Sequence, residues 1–188
     1  MTIRHPEHEI KGLWFIAGQS YLSANLDPSV FQQFARALPP EFREVAEAPM
    51  ASTWYPEDAA AHFLRAWLEV PAEGNRQRFR QMVGEASEQG LNRFFRAIAR
   101  LASQRFLLRQ TPTIFRQLRR GPATVTVEES DAGMVVHYRD FPFLDDPVYE
   151  DTFPAQLGAL LHATTGDWPN TRVLDKAPNR MRVEVRLQ

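Results

Sequence analysis

The spacing of apolar residues changes once along this chain. Up to about residue 120 it follows the turn of a helix; after Gly121-Pro122 it alternates. Val30, Phe31, Phe34, Ala35 and Leu38 form one helical face, opened by Asp27 as N-cap and Pro28 in the first turn and stopped by Pro39-Pro40. Residues 10–25 predict an earlier helix with apolar residues nearly all round, hence a buried central one, in which Gly12 and Gly18 let a neighbour come close. A short helix is expected over residues 41–47. Pro56 opens another, with Ala60, Phe63, Leu64, Trp67 and Leu68 on one face and Pro71 and Gly74 breaking it. Residues 75–109 predict the longest helical stretch, two helices joined near Gly90. There Leu91, Phe94, Phe95, Ile98 and Ala102 form a stripe opposite Arg93, Arg96 and Arg100. Pro112 restarts a short helix carrying Ile114, Phe115 and Leu118 through Arg120.

Beyond it, Ala123, Val125 and Val127 alternate with Thr124, Thr126 and Glu128. A turn at Ser130-Asp131-Ala132-Gly133 returns the chain through 134–138 as a hairpin. An acidic, Pro-containing loop is expected over 141–151, then a helix over 154–165 ended by Gly166. Val173 and Leu174 start a strand, and Met181, Val183, Val185 and Leu187 mark a half-buried terminal one. The order implies an α+β fold: a helical N-terminal part (10–120) packed on a small, mostly antiparallel C-terminal sheet, with 121–188 supplying hairpin, helix and terminal strand. The 188 residues suit one domain.

Composition narrows the chemistry. There is no cysteine, which excludes disulfides, thiolate metal sites and cysteine nucleophiles and is compatible with a cytoplasmic setting. The first eleven residues lack the apolar run of a signal peptide, and the longest apolar run, Leu13-Trp14-Phe15-Ile16-Ala17, is far short of a membrane span. A net charge of -1 argues against general nucleic-acid binding. No phosphate-binding glycine loop and no nucleophile elbow occurs.

The order of several short motifs resembles known proteins. Lys11-Gly12 leads a long apolar helix; a second ends in Leu38-Pro39-Pro40; Trp54-Tyr55-Pro56 heads an amphipathic helix. Gly84 lies in a later helix, a Pro-led helix precedes a strand pair, and Leu157-Gly158-Ala159-Leu160 is followed by Gly166 and a terminal strand. Over essentially its whole length this layout resembles a myxobacterial paralogous family of uncharacterised proteins. More remotely it is similar to the superfamily of haem-nitric-oxide-binding, V4R and TRAPP domains, whose helical N-terminal and α/β C-terminal halves the resemblance implies here. The haem-binding members use a proximal His in the helical half and a Tyr-x-Ser-x-Arg motif. This chain has no histidine between His62 and His137, and its near match, Tyr21-Leu22-Ser23-Ala24-Asn25, ends in Asn. No haem residue can be carried over, and no cofactor is expected.

Charge is segregated. From Glu73 to Arg120 eleven Arg face three Glu. Arg93, Arg96 and Arg100, extended by Arg105, Arg109, Arg116, Arg119 and Arg120, present a candidate surface for an anion or an acidic partner, or simply the wet face of helices. Asp145, Asp146, Glu150 and Asp151 form a candidate acidic partner loop, which could also neutralise the arginines within one chain or between two; its spacing is not that of a calcium loop. His5-x-x-His8 with Glu7 and Glu9 reads as a solvated tail rather than a metal site. Trp14, Trp67, Phe94 and Phe95, with Phe15 and Phe106, are candidates to line an apolar pocket, although helical spacing usually means core.

Three functions are open, in this order of preference, the first being regulatory or signalling in character. One is a non-catalytic interaction or scaffold module, working through a protein partner or self-association. Another is a domain that senses an apolar small molecule or lipid without haem. The third is an enzyme joining the acidic loop to a histidine, motivated only by the presence of those residues.

Overall fold

The computed structural model describes residues 5–91 and 102–187. Its elements alternate less simply than the period suggests. A short strand β1 (Glu9–Lys11) runs into helix α1 (Gly12–Asn25). Helix α2 (Pro28–Ala37) follows, its N-cap Asp27 accepting from the Ser29 amide at 2.8 Å. A 3-10 turn (Pro40–Phe42) and α3 (Glu44–Glu47) lead to β2 (Trp54–Pro56) and α4 (Glu57–Glu69). Next come α5 (Arg76–Gly90), α6 (Gln104–Arg109), α7 (Thr111–Leu118) and β3 (Arg119–Arg120). Strands β4 (Thr124–Ser130) and β5 (Gly133–Arg139) precede α8 (Val148–Thr165), β6 (Thr171–Ala177) and β7 (Arg180–Arg186).

The α+β layout holds. The C-terminal sheet is fully antiparallel, in the order β4-β5-β7-β6. Met181, Val183 and Val185 point into the core, as their alternation requires. Gly166 ends α8 in the left-handed conformation (φ 77°), which a residue without Cβ adopts freely. Gly12 is a close-packing position: a Cβ there would lie 2.0 Å from the Met50 carbonyl oxygen.

Three expectations change. Residues 10 and 11 are not helix: with Glu9 they form the centre of a second sheet, β2-β1-β3, joining segments far apart in sequence. The chain leaves α7 after Leu118, so Arg119 and Arg120 are strand. Helix α8 begins at Val148, six residues early, and carries Pro154 inside it. The acidic segment is therefore a 3-10 turn (Pro142–Asp145) and the first turn of α8 rather than a loop; acidic side chains favour a helix N-terminus.

Candidate functional site

An apolar cavity of about 300 Å³ lies between α1, α4, α5, α7 and α8. Each helix contributes the face its apolar spacing selects: Trp14 and Ala17 from α1, Leu64 and Trp67 from α4, Val83 and Ala86 from α5, Ile114 and Phe115 from α7, Phe153, Leu157 and Leu160 from α8. Gly18 of α1 is in contact with the α4 rings; a Cβ there would lie 3.0 Å from Phe63 and 3.1 Å from Trp67. Exposed Leu13, Gly90 and Gln117 make the rim. The volume is at the lower end of small-molecule sites.

One wall carries a buried ionic network. Arg119 is 6% exposed and Glu57 0%. The Arg119 Nε donates to both Glu57 carboxylate oxygens, at 3.3 and 3.2 Å, and the Tyr149 hydroxyl donates to Glu57 at 2.9 Å. Four rings surround the guanidinium: Phe115 at 5.3 Å, Phe153 at 5.5 Å, Trp14 at 5.8 Å and Phe141 at 6.0 Å from ring centre. β3 places this side chain. Arg119 pairs with Ile10, and strand alternation sends it inward while Arg120 points out. Burial raises the Glu57 carboxyl above the usual carboxylate range against the opposing pull of Arg119.

The network is incomplete. Arg119 Nη2 is buried and has no hydrogen-bond partner among the described residues; the same holds for Trp67 Nε1 and Thr111 Oγ1, on two other cavity-lining residues. Buried polar groups without partners are rare in folded proteins.

The sequence-predicted residues divide. Trp14 and Trp67 line the cavity. Phe15 belongs to the solid core, edge-on to Trp14, Tyr55 and Phe63, and Phe106 is half exposed rather than lining. Phe94 and Phe95, with Arg93, Arg96 and Arg100, lie outside the described residues. Of the remaining arginines, Arg116 is exposed, Arg120 stacks on Trp54 at 3.9 Å, and Arg105 and Arg109 pair with Glu129. Arg119 departs from the expected surface stripe altogether, because the strand turns it inward.

The acidic residues meet bases of the same chain. Asp146 pairs with Arg65 at 2.5 Å, Asp151 with Arg76 at 2.6 Å, and Glu150 with Lys176 at 2.5 Å; Asp145 is exposed. The histidines are dispersed: His137 lies beside Glu128 and His162 beside Glu88, stacked on Trp168. His8 is buried against Phe141 and Phe143 rather than in a solvated tail, and burial lowers its pKa. No group of three or more potential metal ligands occurs among the described residues. No helix of the described residues is long and apolar enough to cross a membrane.

Neither a protein-family model nor a curated protein matches this chain. Solved structures do match in fold. An Fe(II) unliganded H-NOX protein from K. algicida superposes with a TM-score of 0.61 at 9% identity, covering 94% of this chain and 96% of that one. A Cs H-NOX mutant carrying 4-cyano-L-phenylalanine gives 0.66 at 11% identity, covering 94% and 96%. An H-NOX structure concerned with heme distortion gives 0.63 at 10% identity, covering 95% of each.

Haem does not fit the residues present. Protein ligands to haem iron are His, Cys, Met or Tyr. The described cavity lining offers none of the first three, and residues 92–101 contain none of the four. Tyr138 does line the cavity, but burial raises its pKa, which disfavours the phenolate that would bind iron, and its ring is stacked on Phe153 at 4.3 Å. At this level of identity the likeness is one of fold: the chain has an H-NOX-like α+β architecture.

Proposed function

We propose that this chain is a haem-free sensing domain whose helical part binds an apolar small molecule. The cavity carries the reading: about 300 Å³ of space walled by side chains of five helices, in a protein otherwise packed with buried Phe, Leu and Ala. Its walls are mostly apolar and it opens at a rim of exposed residues, so a molecule entering it would cover apolar surface that water otherwise meets. Because α1, α4, α5, α7 and α8 all line this space, an occupant would touch each of them and shift their packing, which is how a bound molecule is reported to a partner.

The test is titration with decan-1-ol followed by tryptophan emission, since Trp14 and Trp67 line the cavity. Saturable quenching or a blue shift is expected. Ala86→Trp, which places an indole in the cavity from α5, should abolish it while keeping the helical circular dichroism. Emission unchanged in the wild type across the soluble range of the alcohol would overturn the reading.

A further inference from the structure

The cavity is apolar on most sides but ends on a cation. Arg119 is the only basic residue among its described lining residues. The guanidinium has a fixed set of five N–H donors. Glu57 takes only Nε, leaving Nη2 buried and unpartnered among the described residues, between rings of Trp14, Phe115 and Phe153 that themselves line the cavity. An interior donor of this kind loses its hydration without compensation, and a charged one loses most. A ligand oxygen reaching it would restore the missing bond in a low-dielectric setting, where charge-assisted hydrogen bonds are strongest.

From this arrangement we infer that the ligand is an apolar monocarboxylate, its acid group received by Arg119 and its hydrocarbon body by the helices. The inference rests on the cavity being a binding site. Arg suits this role because its planar edge meets a carboxylate with directed donors rather than as a point charge. Glu57 is the group that opposes an incoming anion. The hydrogen bond from the Tyr149 hydroxyl offsets part of its charge, and Glu57 engages only the Nε side of the guanidinium. Thr111 and Trp67 add two more unpartnered donors on the cavity-lining residues. A space of about 300 Å³ suits a small acid with a hydrocarbon body.

The experiment compares three ligands with one hydrocarbon tail: decanoate, decan-1-ol and decylamine, each titrated into the full chain at neutral pH with tryptophan emission as readout. Decanoate is expected to bind at least tenfold tighter than decan-1-ol, and decylamine weakest. In the double variant Glu57→Gln with Arg119→Met, which removes both charges together and so strands neither, decanoate should lose its tenfold advantage over decan-1-ol, the ratio of the two affinities being the readout. Equal affinity of the wild type for alcohol and acid overturns the carboxylate assignment and leaves the apolar site standing, whatever the variant does. Binding of neither ligand overturns both. A decanoate preference that survives in the double variant also overturns the assignment, because the selectivity would then lie elsewhere.

Discussion

Arg119 and Arg120 are neighbours in one two-residue strand and live in different solvents. Arg119 faces inward, ringed by aromatics and held by Glu57. Arg120 faces out, flat against Trp54 at 3.9 Å, with water on its other side. Strand geometry alone separates them, since successive side chains leave a strand on opposite faces. The pair teaches that a charge count along the sequence says little about charge on the surface. One arginine in the basic segment belongs to the interior, where an unpaired charge costs far more stability than at the surface.

The contrast can be broken most strongly from the acidic side. Glu57→Ala leaves Arg119 charged, buried and unpaired, and should cost about 3–5 kcal/mol in urea unfolding. A smaller effect separates the sites by pH. Because burial raises the Glu57 pKa in the folded chain, the folded state holds this proton more firmly than the unfolded one. The contribution of Glu57 to stability therefore falls as pH rises above the ordinary carboxylate value, and levels off once pH has passed its folded pKa. The slope is at most about 1.4 kcal/mol per pH unit for one group. Unfolding measured from pH 5 to 8 should show wild-type stability falling relative to Glu57→Gln; parallel profiles would mean that Glu57 has an ordinary pKa. The smallest effect belongs outside: Arg120→Ala removes an exposed cation–aromatic contact and should cost about 0.5–1 kcal/mol, leaving decan-1-ol binding unchanged.

Much of the fold was legible because it rests on long, regular segments. Asp27-Pro28 marks the start of α2 to the residue, and the alternation at Met181, Val183 and Val185 marks β7. Trp14 and Trp67 could be named as pocket candidates only through the resemblance to ligand-binding domains, since their helical spacing by itself is that of plain core. The short sheet was not legible. Strands of two and three residues carry no measurable period, and their pairing is set by segments more than forty positions apart. Arg119 was misplaced for the same reason: the helical spacing of Ile114, Phe115 and Leu118 was continued two residues too far. Glu57 and Tyr149 had no signal of their own, since only the fold brings a helix start and a later helix together. Pro154 misled in the opposite direction, being read as the first residue of a helix that begins at Val148.

The small sheet has a consequence for how the protein assembles. Ile10 pairs with Arg119 across about 110 positions, and closing a loop of that length has an entropic cost that local contacts do not repay. Helices with short-range contacts form early in folding, whereas such a distant pairing waits for them. During refolding, helical signal should return first and Arg119 should reach its aromatic surroundings late, so the change in tryptophan emission should lag the recovery of circular dichroism.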